Sequence, residues 1–180
     1  MLENYIEVSS KTAIYPNAGT IEGLTYVRVG LLSELGECYG VVKRAMRDSG
    51  GELDKDAMAL EVGDLLWYTA QYAKCSFGEK AKETWRSFLV VRQLIMEDDI
   101  GFFYKESGPL TTCLEILDAA FASITEHADD PEYTLFQLVK LLERLAKALG
   151  RTLEEIAIEN AAKLEDRKQR GKLQGKGDKR

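Results

Sequence analysis

Two short stretches, "ELGE" (Glu34 to Glu37) and "EVGD" (Glu61 to Asp64), each carry a pair of carboxylates three residues apart. In a helix, positions i and i+3 share a face, so each pair projects to one side. The surroundings of both pairs are apolar. "MALEVGDLLWYTAQYA" (58–73) is hydrophobic almost all the way round, and "GLLSELGECYGVV" (30–42) is rich in leucine and valine. Four carboxylates that converge in such a setting repel one another strongly, and a divalent cation relieves the repulsion. All-oxygen ligation suits Mg²⁺, with Mn²⁺ as an alternative, rather than zinc or copper. The expectation is that Glu34, Glu37, Glu61 and Asp64 form a metal cradle. Gly36 and Gly63, inside the tetrads, would let the two backbones approach. "EILD" (115–118) has the same spacing without a partner tetrad and reads as a solvated face.

Helices must position these groups. The chain shows helical periodicity between its punctuation marks and no sustained alternation typical of strands. Residues 1–19 read as an irregular arm. Helices are expected over about 20–48, 54–75, 79–97, 109–126, a fifth from "ADDPEY" to Leu149, and a sixth after Thr152. Pro109 and Pro131 suit first helical turns, and Gly150 suits a C-cap. Thr152 with Glu155 has the spacing of a capping box. "DDIGFFYKESGP" (98–109) reads as a loop and 171–180 as a basic, glycine-rich tail. The short turn at "SGG" (49–51) predicts that the first two long helices form an antiparallel hairpin, acidic stripe facing acidic stripe. Along the second of these helices the polar stripe continues through Tyr68 and Gln71.

Composition bounds the rest. The chain has 180 residues, 45% hydrophobic and 30% charged, with a formal net charge of −6. That balance suits one globular domain over 1–180 and argues against a nucleic-acid binder. The single histidine, His127, argues against His-based triads. Three widely spaced cysteines argue against a zinc site or a disulfide framework. With no signal-like leader and no long apolar segment, the reading is cytoplasmic, with no membrane partner.

At this point a resemblance emerges. "ELGE", 23 residues, then "EVGD" is similar to the E-x-x-E … E-x-x-D signature of the MazG-like all-α nucleoside triphosphate pyrophosphohydrolases. The run "NAAKLEDRKQRGKLQGKGDKR" (160–180) resembles their N-x-x-K-L-x-x-R … G-x-G-D-x-R ending. The resemblance covers about 20–76 and 142–180. It implies an all-α bundle and Mg²⁺-dependent cleavage of a nucleoside triphosphate to a monophosphate and pyrophosphate. It also implies a homodimer or higher homo-oligomer. Carried over by position, Glu34, Glu37, Glu61 and Asp64 would hold the metal and serve catalysis. Asn160, Lys163 and Arg167 would bind substrate, the two cations on phosphate oxygens, and Tyr68 would stack on the nucleoside. Residues 77–141 lie outside the pattern of short family members and read as an inserted helical segment. Rival readings are a phosphoribosyl-ATP pyrophosphohydrolase or dUTPase-like branch, and a non-catalytic helical module with a structural metal cradle.

Overall fold

The computed structural model describes residues 1–91 and 108–173. Among them every regular element is helical, so the protein is all-α. The central unit is a hairpin of α2 (Leu24–Asp48) and α3 (Lys55–Phe77), packed along each other. Between them Gly50 and Gly51 take φ of 61° and 95°, which side chains tolerate poorly. Asp54 starts α3 by accepting the Ala57 amide at 2.9 Å. A second hairpin, α5 (Pro109–Glu126) and α6 (Pro131–Ala148), lays α5 on α2 and α6 on α3. The expected prolines open both helices, and Asp130 caps α6. Thr152 and Glu155 form the expected capping box at the start of α7 (Leu153–Gln169), which packs on α3 and α6.

One expectation changes. The arm is not irregular: after a 3₁₀ turn at Leu2–Asn4, α1 (Tyr5–Ser10) packs against α3 and α7. Tyr5 and Ile6 are buried there, and Trp85 donates its indole N–H to the Leu2 carbonyl at 2.9 Å. Trp85 is therefore a core residue. It lies on α4, helical from 81 through 91. The expected extension to Glu97 and the loop at 98–107 lie outside the described residues, as does 174–180 of the tail.

The buried side chains form one continuous cluster drawn from the arm, both hairpins and α7. The described parts of the inserted segment thus share the core with the two motif-bearing regions. Cys38, Cys75 and Cys113 are buried free thiols, as expected for a chain without a disulfide framework. No helix of the described residues is long and apolar enough to cross a membrane.

Candidate metal and phosphate site

On α2 the core-facing arc runs through Val27, Leu31, Leu35, Cys38 and Val42. Glu34 falls at the edge of that arc and is half-buried. On α3, Glu61 and Asp64 are half-buried in the same way. One carboxylate oxygen from each of the three lies within 4.8 Å of the others. Glu37 does not join them. Three residues advance a helix by about 300°, so Glu37 points about 60° away from Glu34 and is exposed. The expected quartet is a triad with Glu37 one turn off. Burial, then the charges of Asp64, Glu37 and Glu61, push the Glu34 carboxyl up to about 7, against an opposing pull from Lys163.

The C-terminal residues arrive from α7. Asn160 is buried and donates from Nδ2 to Asp64 Oδ1 at 2.7 Å. Lys163 places Nζ 2.7 Å from both Asp64 oxygens. Tyr5 of the arm donates its hydroxyl to Asn160 Oδ1 at 2.6 Å. That contact fixes which end of the amide faces the acid, because only the NH₂ end can donate to a carboxylate. Burial, followed by the charge of Asp64, raises the Tyr5 phenol and keeps it a donor. No local pattern marks Tyr5, since a six-residue helix with no side-chain cap is a weak signal.

The glycines make room, though not as expected. Gly36 faces open space, so it does not bring α2 and α3 together. A Cβ at Gly63 would lie 3.0 Å from Asn160 Cβ and Nδ2, so Gly63 admits α7 rather than α2. A Cβ at Gly30 would fall 2.0 Å from Tyr68 Cε1. Tyr68 therefore lies across α2 where only glycine allows it.

Beside the triad is a pocket of about 170 Å³. Glu34 and Asp64 form its acidic end. Leu164, Leu173 and the largely buried Arg167 form one side. Tyr68 and Trp67, with Thr12, Ile14 and Tyr15 of the arm and Tyr26 of α2, form the rest. Tyr15 and Tyr26 stack at 4.7 Å between centroids, and Trp67 meets Tyr68 edge-on at 4.9 Å. Trp67 is anchored by donation to Thr12 Oγ1 at 2.9 Å, and Gln71 by donation to Ser9 Oγ at 2.9 Å. Trp67 thus belongs to the site. The arm's contribution to this wall was missing from the sequence reading, because those contacts span more than fifty positions. Glu115, of the unpartnered "EILD", is exposed as expected, and Asp118 accepts the Tyr39 hydroxyl.

The donor set fits a hard cation. Three clustered carboxylates offer only oxygen, and a dication would relieve both the mutual repulsion and the burial of charge that raise the Glu34 carboxyl. Beside them the pocket joins Arg167 to aromatic faces. A ligand with an anionic part that binds metal and a planar part that stacks would match both ends.

Comparison with known proteins adds one relative. The Gene 37 protein of Mycobacterium phage L5 is 45% identical over 75 residues, which cover 38% of this chain and 66% of that protein. The match thus stops just short of two thirds of the relative's length, and its name specifies no activity. No protein-family model and no solved structure matches the chain.

Proposed function

We propose that this protein is a Mg²⁺-dependent nucleoside triphosphate pyrophosphohydrolase of the MazG-like kind, which releases a nucleoside monophosphate and pyrophosphate. The observation that carries the reading is the meeting of two motifs. Asn160 and Lys163 lie 96 and 99 positions from Asp64 along the chain, yet both bond to it beside Glu34 and Glu61. Chance acidic pairs on solvated faces have no reason to recruit a buried asparagine and a lysine from another helix.

In this reading Glu34, Glu61 and Asp64 hold the ion. When bound, Mg²⁺ supplies charge for the phosphate oxygens and lowers the pKa of a water for attack. Asn160 orients Asp64, and Tyr5 orients Asn160. A carboxylate of the triad would accept the proton of the attacking water. Lys163 and Arg167 would contact phosphate oxygens. The Tyr15–Tyr26 stack, Trp67 and Tyr68 offer faces to a nucleobase.

The rival reading is a structural cradle without turnover, and the Lys163–Asp64 ion pair favours it, because it neutralises part of the cluster without any metal. Mutation separates the two. Glu61→Gln removes a ligand without changing volume. It should bring pyrophosphate release to background with helical content intact, while Glu115→Gln stays at the wild-type rate. If Glu61→Gln retains more than about a tenth of the activity, Glu61 is not in the site.

A further inference from the structure

Both oxygens of Asp64 are engaged by side chains of α7. Its Oδ1 accepts Asn160 Nδ2 and Lys163 Nζ, each at 2.7 Å, and its Oδ2 accepts the same ammonium at 2.7 Å. The pair is only about one-fifth exposed on either side, so little water screens it. A dication held by Glu34, Glu61 and Asp64 must use at least one Asp64 oxygen, and the ammonium would then lie within a few ångströms of it. Two cations on one carboxylate in a sparsely hydrated site repel. The Asn160 contact has no such conflict, because a neutral amide can bond the lone pair that the ion does not take.

We infer that Lys163 is a resident counter-ion on Asp64, which the metal displaces, and that the ion's arrival frees the ammonium to engage an anionic ligand in the adjoining pocket. This rests on the metal reading above and adds a coupling to it. A ligand that costs the protein an internal ion pair binds more weakly alone than with a second ligand that takes up the released charge. Metal and polyphosphate would therefore bind cooperatively, each raising the site's affinity for the other. Glu34 and Glu61 stay grouped with Asp64 while the lysine is on it, so exchange requires movement of one flexible side chain and no change of fold.

The test uses the metal alone. Mn²⁺ is titrated calorimetrically into chelator-treated wild type, Lys163→Met and Lys168→Met. The last removes an exposed charge from the same helix. Lys163→Met should bind Mn²⁺ about tenfold more tightly than wild type, and Lys168→Met should match wild type. Alongside, wild type is labelled with an amine-reactive acetylating reagent, and the sites are read by mass spectrometry. Lys163 should be shielded in chelator and react several-fold faster with saturating Mn²⁺, the reverse of ordinary ligand protection. Equal affinity of wild type and Lys163→Met, or Lys163 labelling that is unchanged or slower with metal, overturns the displacement and leaves the metal site standing. No Mn²⁺ binding by any variant removes both. The labelling arm needs no substitution, so the conclusion does not depend on how a variant folds.

Discussion

Glu34 is the residue whose environment says most about the site. Burial and the neighbouring acids raise its carboxyl from the ordinary 4.5 to about 7. The folded protein thus holds that proton more tightly than the unfolded chain. The resulting stabilisation is complete below about pH 4.5 and is lost as pH rises through about 7. Metal-free wild type should therefore lose stability across that window, and Glu34→Gln should not. At pH 8 in chelator, Glu34→Gln should be the more stable protein by roughly 1–2 kcal/mol, a figure reduced for the solvent that reaches this half-buried group. Denaturant unfolding at a series of pH values checks this, and identical pH profiles for the two proteins would remove the stored repulsion from the account. Mg²⁺ should reverse the order by stabilising wild type more than the variant. The acidic pairs were legible in the sequence because carboxylates in apolar helices are costly without a partner. The place of Glu37 was not, because i,i+3 spacing fixes a face only to within about 60° and the core takes the narrower arc.

Among the elements, three glycines in helix interiors have three different neighbourhoods. Gly30 faces the Tyr68 ring, Gly63 faces Asn160, and Gly36 faces nothing. Gly30→Ala must move Tyr68 and should cost about 1–3 kcal/mol. Gly36→Ala meets no atom and removes a weak helix former, so it should gain up to about 1 kcal/mol. Gly63→Ala should shift Asn160 from Asp64 and blunt the stabilisation by Mg²⁺. Urea denaturation of the three variants, with and without Mg²⁺, measures all of this. Equal effects at Gly30 and Gly36 would contradict the packing described. From sequence alone the glycines signalled close approach, but which helix approaches depends on the return of α7, which no local pattern encodes. The helices themselves were legible where caps and prolines mark them, as at Asp54, Pro109, Asp130 and Thr152. α1 escaped because its six residues are held by tertiary contacts with α3 and α7 rather than by its own propensity.

At the scale of the molecule, the site is assembled from distant stretches of chain: the arm, the α2–α3 hairpin and α7. The arm supplies Tyr5 behind Asn160 and Thr12, Ile14 and Tyr15 in the pocket wall. Removing residues 1–11 should therefore lower the melting temperature and weaken Mg²⁺ stabilisation together, since it uncovers Trp85 and unties Asn160. A truncated protein with full metal response would show that the arm is only a cover. The central claim is that this assembly cleaves nucleoside triphosphates with a carboxylate-held Mg²⁺. Phosphorus NMR of a panel of ribo- and deoxyribonucleoside triphosphates, incubated with the protein in Mg²⁺ and in chelator, tests it most directly. The account predicts nucleoside monophosphate and pyrophosphate in equal amounts, formed in Mg²⁺ and absent in chelator. Intact triphosphates throughout, or a diphosphate with inorganic phosphate, would contradict it.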